Sequence, residues 1–264
     1  MGDKNDLSHV RRIFVRSPNW VGDMVMATAS FARIRAAFPT AHITLAARPM
    51  LHPLLAGSGW FDEIIPAPRA KGVSGLFRQV GDLRSRACDL AIILPNSLET
   101  GLVPFLARVP LRLGYRQGRR GLMNLGLTAA ANRQWWQRRR GPRRIPEPMP
   151  VYYRKLLDEL GIPGLGSETD DLHPRLHCSD EDRQWVDGHL ESLGIARTDK
   201  VVCLMGPNDR NYTEYCMDDT VLIQKAELEC VPCQRKICPL GHHQCMKDIT
   251  VDEVVAAGQE LLAR

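Results

Sequence analysis

No stretch of the 264-residue chain reaches the run of about 18 apolar residues that a membrane-spanning helix requires. The opening segment, MGDKNDLSHVRR, lacks the apolar core of a secretory signal, so a cytoplasmic chain is expected. A Gly-x-Gly-x-x-Gly fingerprint is missing, which leaves a dinucleotide-dependent oxidoreductase poorly supported. Internal repeats and low-complexity tracts are missing too, and a composition of 44% hydrophobic and 25% charged residues is ordinary globular usage. A chain of this length buries one large core or two modest ones.

Acids are absent from one long region. Between Arg108 and Arg144 there are 11 Arg and no Lys, Asp or Glu, so against a net charge of +5 the remainder of the chain carries −6. Such a block suits a polyanion: phosphates, sugar acids, anionic lipid or nucleic acid. A solvated basic surface is the plainer reading. Trp135-Trp136 lies inside the block, and the Pro-rich stretch from Pro142 to Pro150 reads as a linker.

The first 115 residues alternate between two periods. Ile13-Phe14-Val15 is a short strand ended by the turn-forming Ser17-Pro18-Asn19. Met24, Phe31, Ile34 and Phe38 then form one stripe of an amphipathic helix that stops before Pro39. Strands are expected at 43–46, 63–65 and 89–94, with a helix over 76–86; the last strand is apolar without alternation, as when both faces are covered. Strands separated by helices imply βαβ units and a parallel, doubly wound sheet with helices on both faces. Helices follow at 151–160 and 180–193, strands at 201–205 and 220–223, and a last helix at 250–262, where Thr250 and Glu253 make a capping box.

Half of the eight cysteines, Cys230, Cys233, Cys238 and Cys245, fall within 16 residues, with His242 and His243 among them. In a reducing compartment four such thiolates can wrap a tetrahedral ion, and a structural zinc ion is one reading. An iron–sulfur cluster, for which the spacing matches neither common ferredoxin pattern, and simple free thiols are the others.

The turn Ser17-Pro18-Asn19-Trp20-Val21-Gly22-Asp23 joins the first strand to the first helix. Open parallel sheets bind ligands in such turns, and a helix N-terminus there offers N–H groups to an anion. Gly22 allows a close approach of ligand to backbone. Asp23 either takes part in chemistry or only complements the helix dipole.

The string Val15-Arg16-Ser17-Pro18-Asn19-Trp20-Val21-Gly22-Asp23-Met24-Val25-Met26 resembles the opening of the lipopolysaccharide heptosyltransferase II family, within glycosyltransferase family nine. Ala36-Ala37-Phe38-Pro39, Ala46-Ala47-Arg48-Pro49, Leu94-Pro95-Asn96-Ser97 and Arg112-Leu113-Gly114-Tyr115-Arg116 belong to the same pattern. Cys238-Pro239-Leu240-Gly241-His242-His243 with Cys245-Met246 is similar to the family's C-terminal end.

The resemblance implies a GT-B glycosyltransferase of two Rossmann-like domains. The first, over 1–150 with the Arg block, would hold the Kdo-lipid A inner core already bearing one heptose. The second, over 151–264 with the Cys cluster, would hold ADP-L-glycero-D-manno-heptose. By the same resemblance Asp23 is the general base of an inverting transfer that needs no metal. Asn19 and Gly22 would line the acceptor site with it. Arg48, Asn96, Ser97 and Arg116 would contact the anionic acceptor; strand-end capping or surface charge is the plainer role for these four. The resemblance also places the protein at the cytoplasmic face of the inner membrane, as a peripheral protein.

The donor half departs from the family. An Asn-Pro-Gly turn, a Lys-x-Trp-Pro motif and an Asp-Ser-Gly-x-x-His segment are missing, and only the Gly-Pro-Thr-Asp turn has a counterpart, Gly206-Pro207-Asn208-Asp209. Gly206, Pro207 and Asp209 are the residues left to touch the donor. An abbreviated donor domain with an internal deletion, and impaired transfer, is therefore expected. Two rivals remain: a non-catalytic acceptor-binding remnant, and a basic zinc-containing nucleic-acid binder using the Arg block and Trp135-Trp136. Against the second, the Cys cluster lies far from the basic block in sequence, so nucleic acid is not the expected partner.

Overall fold

The computed structural model describes residues 7–67, 72–128, 147–166, 172–192, 194, 221–225, 227–231, 238 and 240–263. They fall into two compact units, the described parts of Met1–Ala129 with Met149–His177, and of Ala130–Pro148 with Cys178–Arg264.

The first unit is built on five parallel strands: β1 (Arg12–Arg16), β2 (His42–Ala47), β3 (Glu63–Pro66), β4 (Leu90–Ile93) and β5 (Leu111–Gly114), in the order β3-β2-β1-β4-β5. Central β1 pairs Ile13 with Ile43 and Val15 with Leu45 on one side, and Val15 with Ile92 on the other. Ile13, Val15, Ile43, Leu45, Leu90 and Ile92 point into one apolar cluster. Phe14, Ala46, Ala91 and Ile93 point into another on the opposite face. Both faces are therefore dry, and this is why β4 reads as an unbroken apolar run.

Helices α1 (Val21–Ala37), α2 (Gly72–Ser85) and α3 (Leu98–Leu106) follow β1, β3 and β4. The α1 stripe is buried as its spacing requires: Met24 and Phe31 are fully covered, and Ile34 and Phe38 nearly so. Removing Phe31 and Ile34 from water stabilises the fold by about 2–3 kcal/mol each.

Helix α4 (Met149–Asp158) also packs in this unit, against α1. Tyr152, Tyr153, Leu156 and Leu157 enter the β1–β2–β4 cluster. The ring of Tyr152 stacks on Tyr115 at 3.7 Å, and Tyr115 Oη donates to the Tyr152 carbonyl at 2.8 Å. Buried Arg33 reaches Asp158 at 2.7 Å and donates to the carbonyl oxygens of Ile162 and Pro163. The sequence-based boundary at residue 150 is thus displaced, because the apolar face of α4 completes the first core.

In the second unit the described elements are α5 (Asp180–Ser192), α6 (Gln244–Lys247) and α7 (Val251–Ala263). The expected capping box at the start of α7 is present: Thr250 N donates to Glu253 Oε2 at 2.7 Å, and Glu253 N to Thr250 Oγ1 at 3.2 Å. The expected strand at 201–205 lies outside the described residues. Of 220–223, residues 221–223 are described, with a single bridge position at Ile223.

Candidate functional site

Four strands of the first unit deliver their carboxyl ends to one cavity of about 300 Å³. β1 ends in Arg16, and Asn19-Trp20 carries the chain into α1. β2 is followed by Arg48, β3 contributes Ile65 and Pro66, and the turn after β4 contributes Ser97. Helices α2 and α3 close the sides with Gln79, Asp82 and Leu83, and with Glu99, Thr100 and Val103. A crevice at this edge of a parallel sheet is the usual ligand position for the architecture.

The wall of this cavity carries two guanidinium groups, two carboxylates, an indole face, two amides and two hydroxyls. Arg16, on the wall, is fixed by hydrogen bonds: Nη1 donates to the carbonyl oxygens of Ser17 and Ala46, both at 3.1 Å, and Nη2 to Asn19 Oδ1 at 3.0 Å. Burial pushes its pKa down to about 10, with neighbouring Glu99 opposing and Arg48 reinforcing the shift, so Arg16 stays cationic at neutral pH. Arg48 lies with its guanidinium carbon 6.0 Å from the centre of the Trp20 ring, and that ring is 62% exposed. Cations beside an open indole face, with carboxylates and amides around them, can bind a sugar that carries an anionic group.

The structure divides the residues anticipated from sequence. Asn19, Arg48 and Ser97 meet at the cavity. Ser97 is also the N-cap of α3, its Oγ accepting from Thr100 N at 3.3 Å. Exposed Gly22 and half-buried Asp23 occupy the first turn of α1, beside Trp20 rather than on the wall itself. Asn96 is committed internally: Nδ2 donates to Tyr152 Oη at 2.8 Å, and Oδ1 accepts from Arg119 at 3.3 Å. Arg116 is outside the wall and donates to the Asn124 carbonyl at 2.8 Å. Gly206, Pro207 and Asp209 lie outside the described residues.

Arg16, Trp20, Asp82 and Glu99 are the site residues that sequence reasoning did not single out. Arg16 and Trp20 had a usable signal, an Arg closing an apolar strand and an aromatic just ahead of a helix. Nothing local marks Asp82 or Glu99.

The basic block changes character in the structure. Arg112, Arg116 and Arg119 each donate to main-chain carbonyls, and buried Arg119 also reaches Thr100 Oγ1 and Asn96 Oδ1. These cations organise the loop after β5. Residues 129–146, with Trp135-Trp136 and the rest of the block, lie outside the described residues.

Of the cysteine cluster, Cys230, Cys238 and Cys245 are described and free of disulfides, and Cys233 lies outside the described residues. Cys230 Sγ stands 4.0 Å from His242 Nε2. Backbone N–H groups of His243, Leu240, Gly241 and His242 hold the Cys238 thiol below its ordinary pKa, that of His243 contributing most. Among the described residues no three such side chains gather around one point.

No family model matches the chain. Over 117 residues it is 39% identical to lipopolysaccharide heptosyltransferase 2 of Escherichia coli, and 38% identical to the protein of that name from Salmonella typhimurium. Each match covers 43% of this chain and 34% of the relative, so the chain spans about a third of the length of the curated relatives it matches. A solved family 9 glycosyltransferase of Veillonella parvula superposes with a TM-score of 0.54 at 20% identity, over 74% of this chain and 52% of that one. This likeness makes the fold GT-B-like.

Proposed function

We propose that the first unit is the acceptor-binding half of a heptosyltransferase and receives the Kdo-bearing inner core of lipopolysaccharide at the carboxyl edge of β1–β4. One observation carries the reading: Arg16 and Arg48 converge on a cavity that exposes the Trp20 ring, in a chain similar to proteins named for heptosyl transfer to lipopolysaccharide. Guanidinium groups suit the carboxylate and phosphate groups of such an acceptor, the indole suits a sugar face, and Asp82 and Glu99 can accept from its hydroxyls.

In the transfer proposed here, Asp23 removes the proton of the acceptor hydroxyl as that oxygen attacks the anomeric carbon of ADP-L-glycero-D-manno-heptose. The new carbon–oxygen bond forms as the bond to the diphosphate breaks. ADP leaves and the configuration inverts. Transfer is proposed to be weak, since Gly206-Pro207-Asn208-Asp209 alone stands for the family's donor motifs.

Calorimetric titration with a lipid-free inner-core oligosaccharide tests the reading. Arg16→Met and Arg48→Met are each expected to weaken binding at least about tenfold, or about 1.4 kcal/mol. Asp23→Asn is expected to bind normally and to abolish whatever transfer from ADP-heptose is measured. Undiminished binding in both arginine variants overturns the assignment of this cavity.

A further inference from the structure

The cavity of the first unit is charged at its mouth and apolar at its floor. Phe14 precedes Arg16, and Ala46 precedes Arg48, by two residues, so each apolar side chain lies about 6–7 Å nearer the middle of the sheet. Ile65 stands beside Ala46 in register, and Leu83 of α2 and Val103 of α3 complete the floor. All five belong to the second apolar cluster or pack against it. None of their side chains carries a hydrogen-bonding group, and the backbones of Phe14 and Ala46 lie in paired strands.

Sugar hydroxyls pushed onto this floor would lose their water partners and gain none, so the floor suits a hydrocarbon group. Four of the five side chains are aliphatic, which favours a chain over a ring. Charge sets the other end of the ligand. Asp82 lies 3.8 Å from Arg86, and Glu99 offsets Arg16. Arg48 rests beside the Trp20 ring and has no ion pair among the described residues, so the mouth keeps a cation without a counter-charge.

We propose that this cavity binds amphiphilic anions: a hydrocarbon chain covers the floor from Phe14 to Ile65 while a phosphate or carboxylate head meets Arg48. The inference goes beyond the acceptor reading, which places a sugar and its anionic groups at the mouth and leaves the floor unassigned.

Calorimetric titration of the full chain with butyl, hexyl and octyl phosphate, all below micelle-forming concentrations, tests it. Affinity is expected to rise about threefold for each added methylene. Octyl glucoside, with the same chain and a neutral head, is expected to bind at least about tenfold more weakly than octyl phosphate. Ile65→Thr, β-branched like the residue it replaces, should weaken octyl phosphate about tenfold and flatten the dependence on chain length. Arg48→Met should weaken all three phosphates alike and leave that dependence in place. Val73→Ser/Phe77→Ser, at positions 70% and 62% exposed on α2, is expected to change nothing. An unchanged thermal melt shows that Ile65→Thr keeps the fold, and the wild-type series decides the matter without any variant. Affinity independent of chain length overturns the proposal, as does a dependence removed by Val73→Ser/Phe77→Ser and kept by Ile65→Thr. Given a steep series, an acylated inner core that outbinds the lipid-free one, with the gain lost in Ile65→Thr, assigns the chain to the acceptor; equal affinity assigns it to a free amphiphile. Lipid-free oligosaccharide that binds beside a flat series defeats this inference alone, and a steep series without oligosaccharide binding defeats the acceptor reading alone.

Discussion

Arg16 donates through Nη2 to the side-chain oxygen of Asn19 at 3.0 Å, so the residue that closes β1 also fixes the turn leading into α1. The same guanidinium holds the carbonyls of Ser17 and Ala46, which ties the ends of two adjacent strands. Arg16→Met keeps most of the stem and removes all three bonds. Hydrogen bonds from a charged donor are each worth about 1.5–3 kcal/mol, and bonds made by one side chain do not add in full, so a total loss of about 2–3 kcal/mol is expected on chemical denaturation. Arg16→Lys should restore charge without the planar fork, and so recover less than half of the lost oligosaccharide affinity.

Much of this edge was legible in the sequence, and the remainder was hidden for physical reasons. Ile13 to Val15, the α1 stripe and the apolar run of β4 announced themselves because burial on both faces demands a distinctive pattern. Helix α3 did not: it is nine residues long, apolar nearly throughout, and carries Pro104 inside it. β5 is four residues with an Arg and a Gly, too short for a period to show. Asn19 stood in the turn after the first strand, and Arg48 and Ser97 were reached only through the strings that resemble the family. Asp82 and Glu99 could not be, since a carboxylate on a helix takes its role only from what the fold sets opposite it. The linker-like Pro142 to Pro150 placed a boundary where α4 instead completes the first core.

Asn96 illustrates the difference between a site residue and one that shapes the site. Its amide is divided between Tyr152 and Arg119, which joins the turn after β4 to α4 and to the loop after β5. Tyr152→Phe and Asn96→Ala should each cost about 1 kcal/mol in stability. Because both residues act through one hydrogen bond, the double variant should cost less than the sum. Oligosaccharide affinity is expected to change less than about twofold in either; a tenfold loss in Asn96→Ala alone would return that residue to the ligand.

The contact between Arg33 and Asp158 should be strongly asymmetric on mutation. The arginine side chain is 5% exposed and the aspartate 47%. Asp158→Asn leaves Arg33 with its two carbonyl partners and should cost no more than about 1 kcal/mol. Arg33→Met strands the carbonyls of Ile162 and Pro163 beside α1, and a loss of about 2–4 kcal/mol is expected from equilibrium unfolding in urea.

Acid stability should depend on Asp62. The Ile43 N–H, foremost, and the Arg35 guanidinium hold its carboxyl below the ordinary value. A carboxyl whose folded pKa is lowered stabilises the fold above its unfolded pKa, near 4, and that stabilisation is lost as pH falls through the folded pKa. Urea unfolding at stepped pH should therefore show a steep decline below about pH 4. In Asp62→Asn that decline should be shallower and stability at neutral pH lower; parallel curves would contradict the assignment.

Two cysteines should part company under alkylation. Burial pushes the Cys88 thiol up to about 11, whereas the N–H group of His243, with those of Leu240, Gly241 and His242, favours the Cys238 thiolate. Since the thiolate is the nucleophile, iodoacetamide at pH 8 should label Cys238 and leave Cys88 untouched until the protein unfolds, as peptide mass spectrometry can follow. The raised pKa of Cys88 has its own consequence for stability. Between its unfolded value, near 9, and about 11 the folded state keeps a proton that the unfolded state has lost, so stability should fall as pH rises through that window. Cys88→Ala should flatten this alkaline limb while leaving the Cys238 labelling rate alone. A metal held by the Cys230–Cys245 segment would instead suppress Cys238 labelling until a chelator is added, and elemental analysis of protein purified without chelator would report that metal directly.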